Sequence, residues 1–265
     1  MRAKLLESLL LAVAIALPAQ AGERIVAVTS DVAEILVALG KAGEVVGRDR
    51  ATKLPALAQT PEIGSSRSLS AEPIARLKPT LVVGSALATP DAIWAQLQGL
   101  GIRAVKVGER ADGQDYATII RQVGQLAGAK PAADKLAHEW QGAMQPGVPI
   151  ARRVLISYEG NTMAGRNTPA DALIRAAGAI NAAGQIEGYK PIDAEALAKL
   201  SPDLILVAEH NRAVYGGLDA LKRRADIAST PAGRSGRVLE VPVQDFFTIN
   251  LDSPAAVRKL RGLLN

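Results

Sequence analysis

The sequence predicts an α/β protein of two lobes, each built around a central, mostly parallel sheet, joined by a long connector helix. Three observations lead there: the same strand, cap and helix order opens both halves, a gapless repeat recurs 123 residues later, and a helical stretch lies between the halves. The expected divisions are a signal peptide over 1–21, an N-terminal lobe over 22–113, a helical connector over 114–150 and a C-terminal lobe over 151–265.

The leader is predicted from Arg2 and Lys4, then the apolar run Leu9 to Leu17, then Pro18-Ala19-Gln20-Ala21, the order of a basic region, a short hydrophobic region and a small-residue cut site. The apolar run is too short for a permanent membrane span, so the expected location is the periplasm.

Each lobe begins with a Rossmann-like unit. Arg24 to Val28 reads as a strand, Thr29-Ser30-Asp31 as a helix cap, and Glu34, three residues after Asp31, as its capping-box partner. Ile35, Leu36 and Leu39 supply the apolar face, and Gly40 is placed to end the helix. In the second half Val154-Leu155-Ile156 is the strand, and a helix is expected from Thr168-Pro169, where a proline loses no hydrogen bond.

The repeat aligns Leu69-Ser-Ala-Glu-Pro-Ile-Ala-Arg-Leu-Lys-Pro-Thr-Leu-Val-Val83 with Ile192-Asp-Ala-Glu-Ala-Leu-Ala-Lys-Leu-Ser-Pro-Asp-Leu-Ile-Leu206. Each copy has a cap (Ser70 or Asp193), a short helix, a terminating proline (Pro79 or Pro202) and a buried strand. Between the halves, Tyr116, Ile119, Ile120, Val123, Leu126, Leu136 and Trp140 fall at largely helical spacing. They predict one long or slightly broken helix, with Gly128 to Pro131 as the place for a break.

Composition narrows the function. The absence of cysteine excludes disulfides, thiolate metal sites and a catalytic thiol. His138 and His210 stand far apart, so a catalytic zinc cluster is not expected. Two phenylalanines, two tryptophans and four tyrosines are too few for a stacking surface that tracks single-stranded nucleic acid. There is no Ser-x-x-Lys, Gly-x-Ser-x-Gly or Walker A pattern, and a binding protein rather than an enzyme is expected. The net charge of +5 in a secreted chain fits an anionic ligand or a membrane partner.

Three stretches resemble one family: Val46-Gly47-Arg48-Asp49; Leu69-Ser70-Ala71-Glu72 with Lys78-Pro79; and Ala164 to Gly178 leading to Asn181-Ala-Ala and Glu187-Gly-Tyr-Lys-Pro-Ile192. The chain is similar to the helical-backbone class of periplasmic substrate-binding proteins, and within it resembles the haem-binding members. That resemblance implies haem as transported cargo with no catalytic cofactor, and an ABC permease dimer with its ATPase as partner. Vitamin B12, siderophore or another metal chelate, or a haem-storage or sensor-like role, are the alternatives. Glu72 and Glu195, matched in the repeat, would by resemblance dock one on each permease subunit. The sequence departs from the family at Gly64-Ser65-Ser66-Arg67, where Ser65 stands in the place of an iron-binding tyrosine and Arg67 remains available to a propionate.

The remaining candidates follow from placement. His210 comes just after the strand Leu204 to Val207, where open α/β sheets bind ligands, and imidazole is a competent haem iron ligand. Tyr158, Tyr215 and Met163 are weaker iron ligands. Arg166 and Arg212 are expected to join Arg67 around the propionates, and Phe246 and Phe247 to form an aromatic wall, with Ser65 and Ser66 on the facing loop. Asp31, Glu34, Asp49 and Glu72 are ascribed to helix capping and solvation.

Overall fold

The computed structural model describes residues 22–264, so the leader expected over 1–21 lies outside the described residues. The N-terminal lobe runs β1 (Ile25–Ala27), α1 (Ser30–Ala38), β2 (Val45–Arg48), α2 (Ala71–Arg76), β3 (Leu81–Ser85), α3 (Ile93–Gly99) and β4 (Ala104–Val107). Its strands are parallel in the order β2-β1-β3-β4. Chain order reverses between β1 and β3, and at such a point the carboxyl ends of neighbouring strands part to leave a crevice.

The C-terminal lobe contains β5 (Arg153–Ser157), β6 (Thr162–Ala164), α6 (Pro169–Ala176), β7 (Ile180–Asn181), β8 (Tyr189–Pro191), α7 (Ala194–Leu200) and β9 (Leu204–Ala208). Four short helices follow, α8 (Arg212–Tyr215), α9 (Leu218–Arg223), α10 (Ala225–Ala228) and α11 (Pro231–Arg234), then β10 (Val238–Val241), α12 (Val243–Phe246) and α13 (Ser253–Leu264). Strands β10, β9 and β5 are parallel, whereas β6 runs antiparallel to β5 and β8 antiparallel to β6, so this sheet is mixed. Its reversal of order falls between β5 and β9. The all-buried patterns of β1 and β9 match their uninterrupted apolar sequences, and β3 shares the pattern up to its buried terminal Ser85, as expected of parallel strands covered on both faces.

The internal repeat holds at single-residue resolution. Displaced by 123 residues, β3 falls on β9, and Ser70 and Asp193 stand at the N-cap positions of α2 and α7, where only Asp193 caps with its side chain, accepting from the Ala196 amide at 2.8 Å. Lys78 and Ser201 both take left-handed backbone, with φ of 48° and 45°, immediately before Pro79 and Pro202. A guanidinium closes the same helix end in each lobe: Arg24 donates to the Leu77 and Lys78 carbonyls, and Arg153 to the Leu200 carbonyl. Thr168 caps α6 by accepting from the Asp171 amide at 3.2 Å, with Pro169 in the first turn.

The connector is helical, but its break is complete. After α4 (Tyr116–Leu126) the chain turns at Gly128, with φ +66°, and α5 (Lys130–Ala143) packs back against α4. Tyr116 meets Trp140 at 5.0 Å between ring centroids, and a Cβ on Gly124 would lie 2.0 Å from that of Ala133. Only glycine permits so close a crossing.

One apolar cluster runs through both lobes, joining Ile25, Ile35 and Leu36 to Tyr116, Trp140, Ile156, Leu173, Phe246 and Leu260. Two further clusters cover the outer face of each sheet.

Candidate ligand-binding cleft

The two order reversals face each other across a cavity of about 570 Å³. On the N-terminal side its floor is Ser30 and Asp31, which follow β1, and Ser85, the last residue of β3. The Ser85 amide donates to Thr29 Oγ1 at 3.1 Å, bridging the two strand ends. Burial pushes the Asp31 carboxyl up, against hydrogen bonds from Thr29 and Ser85 that favour its charged form.

The loop carrying Ser66 and Arg67 forms the next part of the rim. Asp49 holds it, accepting from the Ser66 amide and, at 2.6 Å, from the Ala51 amide. This carboxylate is 1% exposed, so the assignment of Asp49 to capping and solvation is corrected: it is an internal tie for a cavity loop. Ser65 does not line the cavity. Its hydroxyl accepts from the Arg67 amide at 3.2 Å and braces the turn. Arg110 adds a second guanidinium to the rim, oriented by a two-pronged contact with the buried Asp112.

The C-terminal side is an aromatic wall. Tyr158 directly follows β5 and His210 lies just beyond β9, at the two strand ends that flank the reversal. The Tyr158 ring sits 4.6 Å from that of Phe247, 5.1 Å from Tyr189 and 6.2 Å, edge-on, from His210. The Tyr189 hydroxyl is buried without a hydrogen-bond partner, and burial followed by the neighbouring Tyr158 pushes its pKa up, which keeps it protonated.

The structure thus gathers Ser66, Arg67, Tyr158, His210 and Phe247 around one cavity. Other expected site residues stand elsewhere, each for a local reason. Arg166 donates to Glu187 at 2.6 Å, a carboxylate shared with Asn167. Arg212 pairs with Glu240, which also accepts from the Tyr215 hydroxyl at 2.8 Å, and Tyr215 is buried in the outer core of its lobe. Met163 is fully buried in that same cluster. Phe246 is fully buried in the central core with Lys259 Nζ 5.9 Å from its ring centroid, so only the second of the adjacent phenylalanines faces the cavity. His138 is exposed on α5.

Among the lining residues, Arg110 and Tyr189 carry no site role in the sequence reading, while Asp31 is there a cap and Tyr116 part of the connector's apolar face. Tyr189 sits inside the Glu187-Gly-Tyr-Lys-Pro-Ile192 stretch, so its signal was present; Tyr116 was hidden in a helical periodicity. Among the described residues no group of three His, Asp or Glu side chains could hold a free metal ion, and no helix is long and apolar enough to cross a membrane.

A two-lobed molecule whose strand ends converge on one cleft is the architecture of solute capture, and residues 25–244 match the model of a family described as periplasmic binding protein. The chain belongs to that family. Among solved structures, the periplasmic haem-binding protein RhuT of Roseiflexus sp. RS-1, in apo form, is 30% identical with a TM-score of 0.80, covering 92% of this chain and 98% of that one. The haem-binding protein BhuT, in complex with two haems, is 33% identical with a TM-score of 0.82 and the same coverage. An uncharacterised ABC transporter substrate-binding lipoprotein of Bacillus subtilis, YvrC, is 25% identical over 233 residues, 83% of this chain and 72% of that protein.

The two repeat glutamates occupy matching places in this periplasmic binding protein. Glu72 and Glu195 lie in the first turns of α2 and α7, with side chains 75% and 78% exposed. Each pairs with the basic residue four positions on, Arg76 or Lys199.

Proposed function

We propose that this periplasmic binding protein captures haem in the interlobe cleft and delivers it to an ABC import permease. The observation that carries the reading is the use of aromatic residues. The chain has only two tryptophans, four tyrosines and two phenylalanines, yet Tyr158, Tyr189 and Phe247 form one wall of the cavity. A flat macrocycle gains most from such a wall, because aromatic faces bury large areas and stack offset at these centroid spacings. Arg67 and Arg110 on the opposite rim offer guanidinium donors to propionates. His210 is our candidate for the iron ligand, and Glu72 and Glu195 for the permease contacts.

Mass and absorption analysis of the natively purified protein, followed by incubation with haemin or cobalamin, tests this. A Soret band with haemin and none of the corresponding bands with cobalamin is expected. Retention of cobalamin or a siderophore, with haemin unbound, would assign a different cargo.

A further inference from the structure

The segment between α12 and α13 carries Phe247, Thr248 and Ile249 on the cavity and is fastened at successive residues to the first lobe and the connector. Ile249 lies against Gly113, where a Cβ would come within 2.4 Å of it. The Asn250 carbonyl accepts from Trp140 Nε1 at 2.9 Å. The Leu251 amide donates to Glu34 Oε1 at 2.9 Å, across 217 residues of sequence, and the Tyr116 hydroxyl donates to that same oxygen. Glu34 is therefore no capping-box partner; α1 turns it inward to the seam between lobes.

We propose that Glu34 is a positioning residue for the cargo wall: it grips the Leu251 amide, sets the strap bearing Phe247, Thr248 and Ile249, and its own protonation decides how firmly. The groups facing it are Asp31 from one turn earlier on α1, Tyr116 from α4 and Asp252 from the strap. Two of these three are acids and the third is a buried phenol, so an ionised, half-buried Glu34 meets like charge with only two donors to offset it. A neutral carboxyl keeps one oxygen free to accept both hydrogen bonds and carries no such penalty.

Burial, opposed by the Tyr116 and Leu251 hydrogen bonds and reinforced by Asp31 and Asp252, raises the Glu34 pKa to about 7. The sign follows from linkage. A carboxyl whose pKa is raised in the folded protein stabilises the fold fully below its ordinary pKa, and this contribution is lost as pH rises through about 7. The strap should be firm at pH 6 and loose at pH 8.5.

The inference uses the haem reading only in its last arm. In cargo-free protein, thermal melting and hydrogen–deuterium exchange of the peptide covering 247–252 are measured from pH 5.5 to 8.5 for the parent, Glu34→Gln and Tyr116→Phe. Glu34→Gln mimics the neutral acid, so the parent should lose about 3 to 5 °C relative to it across that range. Parent exchange, normalised to Glu34→Gln at each pH, should rise with a midpoint near 7. Tyr116→Phe removes a donor that favours the carboxylate and should move that midpoint to higher pH. In the last arm, haemin affinity of the parent, normalised to Glu34→Gln, should fall about tenfold between pH 6 and 8.5. Parallel melting and exchange curves for parent and Glu34→Gln would overturn the assignment. Parent protein that binds no haemin would overturn the cargo reading instead, and the first two arms would still decide for or against Glu34.

Discussion

Tyr158 and Phe247, separated by 89 positions in sequence, hold their ring centroids 4.6 Å apart with planes inclined at 34°. One ring stands at the end of β5 and the other on the strap after α12, so the wall of the cleft is assembled from two parts of one lobe. Both phenylalanines belong to the central core, but only Phe247 also faces the cavity, and this difference makes the first prediction: both variants lose stability, and only Phe247→Ala loses ligand as well. Phe247→Ala should weaken haemin at least about tenfold, or 1.4 kcal/mol. Phe246→Ala should lower unfolding free energy by about 3 to 5 kcal/mol, with the folded fraction binding normally. Denaturant titration and absorbance titration of both variants separate the two effects.

His210 is exposed at the cavity rim, edge-on to Tyr158. If its imidazole binds the iron, His210→Ala should shift the Soret maximum or weaken haemin at least about tenfold. An unchanged spectrum and affinity would remove it from the coordination sphere and leave the tyrosines of the wall as the remaining donors.

Arg67 faces the cavity, whereas Arg166 is engaged with Glu187 outside it. Arg67→Glu should therefore weaken haemin more than a propionate-esterified porphyrin, and Arg166→Glu should affect neither. Equal losses for both porphyrins with Arg67→Glu would place the guanidinium away from the propionates.

The matched exposure of Glu72 and Glu195 predicts a phenotype confined to transport. Glutamine at both positions keeps shape and removes charge, so melting should change little and haemin binding not at all, since exposed i,i+4 pairs contribute only about 0.3 to 0.5 kcal/mol. Stimulation of ATP hydrolysis by the cognate transporter in proteoliposomes should drop, and added salt should weaken the parental response. Full stimulation by the double variant across a range of concentrations would return both glutamates to helix-end chemistry.

What could be read in advance follows the range of the interactions. The strands, the caps at Thr168 and Asp193 and the repeat ending at Pro79 and Pro202 are set by neighbours within a few residues, and they stand where periodicity places them. Tyr158 and His210 were legible because strand ends are. The partners of Arg166 and Arg212 lie 21 and 28 residues away, and that of Asp49 lies 17 away. No local pattern distinguishes a guanidinium that will find a carboxylate from one that will stay free. Glu34 shows the limit most clearly: its spacing from Asp31 satisfies a capping rule, yet a tertiary contact 217 residues distant claims the side chain. The connector misleads only in part: the break stands at Gly128 as expected, but the close crossing of α5 over α4 at Gly124 is a contact that periodicity within one helix cannot register.

The apolar cluster that passes through both lobes also bears on how the molecule comes apart. Neither lobe owns its half: Ile35 and Leu36 of the first share a dry interior with Phe246, Val257 and Leu260 of the second. Cutting the chain in the connector would expose that interior on both fragments, and neither would be a self-sufficient folding unit. Heat and denaturant should accordingly meet a single cooperative transition, the same by fluorescence and by circular dichroism, in a protein whose outline shows two bodies.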